Sequence, residues 1–437
     1  MSGSPRHEET LRGLLRCGLP EAELFVKRGR TRRLAVSAAA ETSVISQERA
    51  WAVRAGTRRS SFFMAGTGEP PEAGPWPQPE PGPLRLPEPL EAPPWNEPSD
   101  FDAPLVGERE GLTLLASLGR ELAAELPGAR LEQAALEDGS SEGELASSRG
   151  VRARFRHRIA TLYLEAVGPG RPGAAAALYL AAREARRFHP SALARRLADR
   201  LAVQASGGPP EKGGGELLLA PPVGVALLAA LLPLLVGPGA AARLAGLRDR
   251  RGRIGSELLT LVDNGRLAGG AFECPIDGEG VPTAEVVLVE KGTFRQPLLA
   301  WWQADGAAPG LPSGCSRRPG WRDLPLPGPT HLYLAPDPRA PVAALLGEVA
   351  HGYYLIDATG AGSFDLAGDR FALPVCGFAV DAGRASAPVA RVVLCGSIGA
   401  LLKGIVAVGR DLSFHPLAGM IGAPTMLVRG LELHGAG

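Results

Sequence analysis

The chain has 437 residues, 45% of them hydrophobic, and a formal net charge of +1. That length can bury a large core and suggests two or three domains, and so even a charge balance excludes bulk attraction to nucleic acid or acidic substrates. Its five cysteines (Cys17, Cys274, Cys315, Cys376, Cys395) are odd in number and widely spaced without a Cys-x-x-Cys pair, which excludes a disulfide framework or zinc knuckle and fits a reducing cytoplasm.

In chain order, Met1 to Thr10 is polar and lacks the apolar segment of a secretory signal. Residues from about Glu8 to Cys17 predict a short amphipathic helix with Leu11, Leu14 and Leu15 on one face. Short runs at Ala22–Lys27, Arg33–Ala38, Ser43–Ser46, Ala50–Ala55 and Ser61–Met64, separated by polar turns, predict an antiparallel sheet. Glu69–Pro98 carries twelve prolines and reads as an extended linker or arm. Trp76 and Trp95 stand in it with no local core to enter.

After the arm, Leu105–Glu125 is helical in spacing, and Arg130–Glu137 and Arg149–Val167 read as strands. Arg152, Arg154, Arg156 and Arg158 alternate with less polar residues and so share one strand face. Such a stripe is either a solvated face paired with acids such as Glu132, Glu137 or Glu142, or a contact for an acidic partner. Ala174–Arg187 predicts an Ala-rich helix, and a second helix follows Phe188-His-Pro190, with Ser191 as its N-cap. Gly207–Gly215 marks a boundary.

Leu217–Val236 holds no charge and matches a membrane span in length. Pro221-Pro222 and Pro233 break it, so it reads as a buried strand followed by a buried helix, with no membrane crossing expected. Asp277 and Glu279 lie in Pro275-Ile-Asp-Gly-Glu-Gly-Val-Pro282, where two nearby carboxylates suit either an acid/base pair or a tight turn. Ser313–Arg318 then offers Arg317 and Arg318 to a peptide carboxylate. Of the seven histidines, only His351 has a ligand-like neighbour, Glu348, at a spacing that chance supplies often. His415 reads as a loop residue. Beyond Gly352, apolar runs separated by Gly360, Gly362 and Gly368 predict a β meander; Ile398–Val408 is helical in spacing, and a last strand spans Met426–Leu433.

The order Gly-x6-Thr-Gly-x2-Ser-Phe-x3-Gly within Gly352–Gly368, then Pro-Val-x-Gly at 374–377 and an apolar helix ending in Gly409-Arg-Asp411, resembles the C-terminal domain of the TldD/TldE (PmbA) family. The resemblance implies an α+β fold: an N-terminal antiparallel-sheet and helix region, then a β-rich C-terminal domain with a buried helix. The divisions expected are 1–104 with the arm at 69–98, 105–215, and 216–437. In the catalytic TldD half of such systems the helix after the first C-terminal strand carries His-Glu-x-x-x-His, and a Cys-Gly-Lys segment supplies a third zinc ligand. Here the corresponding helix reads Val223-Gly-Val-Ala-Leu-Leu-Ala-Ala-Leu-Leu-Pro-Leu-Leu-Val236, and Phe414–Gly422 holds no cysteine.

The resemblance therefore implies a TldE/PmbA-like, non-catalytic subunit without metal or catalytic residues of its own. It would form a cytoplasmic heterodimer with a TldD-like zinc peptidase that degrades or processes small or unfolded peptides, zinc belonging to the partner. Asp277, Glu279, Arg317 and Arg318 are the candidate substrate-binding residues. Two other readings stay open: a stand-alone peptide- or protein-binding scaffold of the same descent, and a metal-free hydrolase using Asp277 and Glu279.

Overall fold

The computed structural model describes residues 5–37, 40–92, 101, 103–169, 173–210, 214–304 and 314–435. Trp95, the end of the proline-rich run and Ser313 lie outside them. The first half is built on a seven-stranded antiparallel sheet. Its strands are β1 (Glu21–Ser37), β2 (Glu41–Gly56), β3 (Ser60–Thr67), β4 (Glu80–Pro81), β5 (Arg130–Ser147), β6 (Arg152–Val167) and β7 (Ala175–Ala182), in spatial order β4-β3-β2-β1-β5-β6-β7. β1 is bonded to β2 on one side and β5 on the other, so residues on both sides of position 104 share one sheet.

Strands here are longer than the sequence suggests. The polar stretch Arg28–Arg32 reads as a turn, yet it continues β1, because both neighbours pair with it from end to end. Two flanking ladders satisfy every main-chain group of such a strand, which outweighs weak local β-propensity. The same force corrects the helix expected at Ala174–Arg187. Ala175–Ala182 is the edge strand β7, paired with β6 from Val167↔Ala175 to Ala160↔Ala182 and carrying Tyr179 against Tyr163. Alanine favours helix in isolation, but tertiary pairing overrides that preference. Only a single 3-10 turn, Ala185–Arg187, remains of the predicted helix.

Helices cover one face of this sheet. α1 (Pro5–Arg16) sets Leu11 and Leu14 on Leu24, Val26, Trp51 and Val53. α2 (Glu108–Glu125) and α3 (Pro190–Ser206) bury Leu115, Leu118, Leu122, Leu193, Leu197 and Leu201 against Leu136, Leu162, Leu164 and Leu178. Trp76 does find a core: it is half-buried and stacks on Phe62, ring centroids 6.2 Å apart. The arginine stripe of β6 is an ion-paired face. Arg152 meets Glu8 at 2.8 Å, Arg156 meets Glu142 at 2.7 Å with Arg154 beside it, and Arg158 donates to the Ala103 carbonyl.

The second half holds an eight-stranded and a six-stranded sheet. β8 (Glu216–Leu219) lies inside the larger one, parallel to His351–Ala358 and antiparallel to Met426–Val428. A strand flanked on both sides and covered on both faces reads as an unbroken apolar run, as Leu217-Leu-Leu219 does. α4 (Pro221–Leu235) follows at once and is buried in the core shared by both sheets, with Leu228, Leu231 and Leu235 near Leu355, Leu332 and Ile421. The meander expected beyond Gly352 is present as His351–Ala358, Ser363–Asp365, Arg370–Asp381 and Arg384–Gly396. The apolar run after Ile398 splits: the helix ends at Lys403, Gly404 turns, and Ile405–Val408 is a strand. Among the described residues no helix is long and apolar enough to cross a membrane.

Gly352 is where β8 and the strand His351–Ala358 come closest, since a Cβ there would stand 1.9 Å from the Glu216 carbonyl oxygen. The nearest atoms, the O, C and N of Glu216, are all backbone and cannot turn aside. Gly352→Ala is expected to destabilise the chain by about 2–3 kcal/mol, read as a lowered urea midpoint with unchanged slope.

Candidate functional site

The segment Pro275–Pro282 folds as a tight turn closed by an Ile276–Pro282 bridge, with the Asp277 N–H donating to the Val281 carbonyl at 2.8 Å. Gly280 sits at φ +82°, and a Cβ on it would strike Leu145 and Val151 of the N-terminal sheet. The turn is therefore pressed flat against the other half of the molecule.

Asp277 holds this turn together. Its Oδ1 accepts from the N–H groups of Glu279 and Val281 at 2.8 and 3.0 Å, and its Oδ2 from that of Ser316 at 2.9 Å. Burial and the neighbouring Glu279 charge push its carboxyl up to about 7, against the three N–H donors. Glu279 is fully buried. One oxygen accepts from Arg54 at 3.1 Å; the other accepts from the Trp301 N–H at 2.7 Å and the Ser316 hydroxyl at 2.5 Å.

From Arg54 the network runs into the N-terminal sheet. Arg54 on β2 makes a two-pronged contact with Glu23 on β1, both bonds 2.8 Å, and Arg318 closes on the same carboxylate while its Nε donates to the Gly278 carbonyl at 2.8 Å. No side chain of Glu23, Arg54, Glu279 or Arg318 is more than 4% exposed. Burial opposes ionisation of Glu23, but the Arg54 and Arg318 charges outweigh it and hold the carboxyl below the ordinary glutamate range. Arg318 also lies over the Phe25 ring at 4.9 Å.

Of the four candidate substrate residues, the structure brings Asp277, Glu279 and Arg318 into this cluster, with every carboxylate oxygen engaged by the chain itself. Arg317 points elsewhere. Its Nε donates to the Pro329 carbonyl at 3.2 Å, and its side chain borders two cavities. One, about 340 Å³, lies between β1, β5 and β6 and the segments 272–278 and 316–320. The other, about 650 Å³, is walled by Leu232, Pro233 and Val236 at the end of α4, and by Phe272, Leu326 and Gly419. Sequence reasoning missed Glu23, Arg54, Trp301 and Ser316. The signal for two of them was phase: Glu23 and Arg54 are charges at buried positions of strands whose flanking residues are apolar.

Two histidines near Arg317 are spoken for. His331 donates from Nδ1 to the Asn264 carbonyl at 3.0 Å and accepts the Phe272 N–H on Nε2 at 3.2 Å; His157 bonds the Ala271 carbonyl at 2.6 Å. Burial lowers both to about 4. His415 is a strand residue in Ser413–Pro416, lowered to about 4 by burial and by Arg196 and Arg200. His351 is exposed and pairs with Asp381 at 2.6 Å. Among the described residues no three His, Cys, Asp or Glu side chains converge. α4 carries no nitrogen, oxygen or sulfur donor in its side chains, and the guanidinium of Arg317 repels cations, so this wall does not fit zinc.

Two outcomes follow from the buried groups. Arg54→Met strands Glu279 as a buried charge and leaves Glu23 with Arg318 alone, and is expected to cost about 3–5 kcal/mol and to open the junction of the halves to limited proteolysis. His331 takes a proton near pH 6.5 when unfolded but only near 4 when folded. The unfolded chain thus binds more protons in that window, so stability is full above pH 6.5 and is lost as pH falls. His331→Leu is expected to reduce the loss between pH 7 and pH 5 by about 2 kcal/mol, measured by urea titration at each pH.

A family model described as the PmbA/TldA metallopeptidase C-terminal domain matches residues 212–435, just over half of the chain. A metalloprotease TldD homolog of Buchnera aphidicola (Schizaphis graminum) is 28% identical over 171 residues, 39% of this chain and 35% of the relative. The metalloprotease PmbA of Escherichia coli O157:H7 is 24% identical over 174 residues, 39% of this chain and 36% of the relative. These matches span about a third of the curated relatives' length. The crystal structure of TldE from Thermococcus kodakarensis superposes with a TM-score of 0.84 at 18% identity, covering 98% of this chain and 100% of that one, a likeness of fold. With the α+β architecture above and a matched domain that contains β8, α4 and the meander, the chain belongs to the TldD/TldE (PmbA) family.

Proposed function

We propose that this chain is the TldE-like, non-catalytic member of a peptidase pair, completing a chamber in which a TldD-like zinc subunit cuts small or unfolded peptides in the cytoplasm. The observation that carries the reading is α4. It stands directly after the first strand of the C-terminal domain, where the catalytic kind of chain is expected to hold its metal, and it offers only aliphatic side chains. An aliphatic surface can neither coordinate a divalent ion nor activate water.

Other features support it. Asp277 and Glu279 are locked in a domain junction, so they are not free to act as an acid/base pair. The 650 Å³ cavity at the end of α4 is largely apolar with a guanidinium in its wall, chemistry suited to holding an extended peptide rather than cutting it. Relatives named as metalloproteases supply the class of reaction.

The test is reconstitution. The purified chain alone is expected to show no cleavage of an unfolded casein-derived peptide. Mixed with a TldD-like chain bearing His-Glu-x-x-x-His, it should yield a stoichiometric complex whose cleavage a chelator abolishes, with all zinc traced to the other subunit. Cleavage by the isolated chain would sink the proposal. A chain that ignores the TldD-like subunit yet binds the peptide would favour the scaffold reading.

A further inference from the structure

Arg317 stands in the wall of the 650 Å³ cavity without a counter-charge. Among the described residues its one side-chain hydrogen bond runs from Nε to the Pro329 carbonyl at 3.2 Å, and no carboxylate pairs with it. A guanidinium carries five N–H donors, so most of this fork has no partner in the chain. Nη2 is shut off from water and meets no acceptor, a condition that costs free energy and that an anion beside the planar group would relieve. Asp263, whose carboxyl feels this charge, is bonded instead to the main-chain N–H groups of Thr330 and His331. Arg318 lines the same cavity, but Glu23 already holds it.

The rest of the wall is apolar and poor in donors. Pro233, Pro319, Pro327 and Pro329 all face the cavity, and proline has no N–H to offer. Leu326, 50% exposed, also borders a second cavity of about 510 Å³, where Trp302 and Leu324 are 38% and 47% exposed. An apolar path therefore leads away from Arg317.

These walls discriminate among anions. With Arg318 held by Glu23 and the neighbouring His157 and His331 uncharged, a single uncompensated positive charge faces the cavity. A carboxylate balances it, whereas a phosphate dianion would bring excess charge into an apolar setting. An internal stretch of peptide brings an N–H and a C=O with every residue, and those carbonyls find few donors here. A chain end brings a carboxylate in place of a further peptide unit, and a guanidinium fork matches a carboxylate in shape and charge.

We propose that this cavity takes the C-terminal residue of a peptide, its carboxylate on Arg317 and its apolar side chain against the end of α4 and Phe272, with the preceding residues leaving past Leu326 toward Trp302. The inference rests on the peptide-holding reading of the cavity given above, and adds which end is held and by which residue.

Fluorescence anisotropy of the purified full chain tests it, with fluorescein-labelled Gly-Ser-Gly-Ser-Ala-Leu supplied as the free acid and as the C-terminal amide. One charge-assisted contact is expected to make the acid bind about tenfold more tightly than the amide. Arg317→Met is expected to lower the acid to the affinity of the amide, and its unaltered affinity for the amide reports an intact cavity. Arg317→Lys, which keeps the charge and loses the fork, should retain part of the preference. Equal binding of acid and amide by wild type, or a preference that survives Arg317→Met, overturns the anchor and leaves the cavity a peptide site. Binding of neither peptide overturns the anchor and the peptide-holding reading together. Octanoate that displaces the labelled acid at a lower concentration than the unlabelled peptide does assigns Arg317 to a small aliphatic acid and overturns the peptide end.

Discussion

Two carboxylates and two guanidiniums with no access to water decide how the halves of this molecule sit together. Glu23 and Arg54 come from the N-terminal sheet, and Glu279 and Arg318 from turns of the C-terminal domain. Each half brings one charge of each sign, but Glu279 finds its guanidinium, Arg54, and Arg318 its carboxylate, Glu23, only across the junction, and either group buried without that partner is costly. The docking is therefore not a matter of apolar contact only. In it Glu279 reaches Arg54, Arg318 reaches Glu23 and each carboxylate oxygen finds a donor, while Asp277 keeps the C-terminal turn in the shape that presents Glu279.

This constraint also sorts chemistry from architecture. A carboxylate that accepts from Arg54, a serine hydroxyl and a main-chain N–H has three of its about four lone-pair sites filled, and Glu279 is fully buried away from bulk water. The tight packing that makes the junction strong thus holds Asp277 and Glu279 to main-chain and side-chain donors of the chain itself. Arg317 and Arg318 both line the 650 Å³ cavity, but Arg318 is bonded to Glu23 and the Gly278 carbonyl at the junction, whereas Arg317 bonds the Pro329 carbonyl.

What the sequence disclosed and what it hid follow one rule, the range of the forces involved. The meander from His351 to Gly396 was legible because its turns are set by glycines a few residues apart, and α4 was legible because prolines and an unbroken apolar run act locally. The length of β1 was hidden, since Arg28–Arg32 is strand only by virtue of partners at Arg49–Ile45 and Glu142–Asp138. Ala175–Ala182 misled for the same reason: its helix preference is local and its pairing with β6 is not. The ion cluster was least legible of all, for its two pairs lie more than two hundred residues apart and only the phase of Glu23 and Arg54 in apolar strands hinted at them.

The apolar character of α4 has a consequence for the rest of the domain. A helix that carries ligands must keep one face open to metal, water and substrate, which limits how much of it can enter a core. Freed of that duty, α4 buries Val223, Val225, Leu227, Leu228, Leu231, Leu234 and Leu235, at about 1.5–3 kcal/mol for each fully buried aliphatic side chain. It even tolerates Pro233, whose missing N–H falls in the last turn, near the cavity. Its aliphatic side chains make the helix a stabilising strut between two sheets. On the reading proposed above, a rigid non-catalytic half gives its partner a fixed wall to close against.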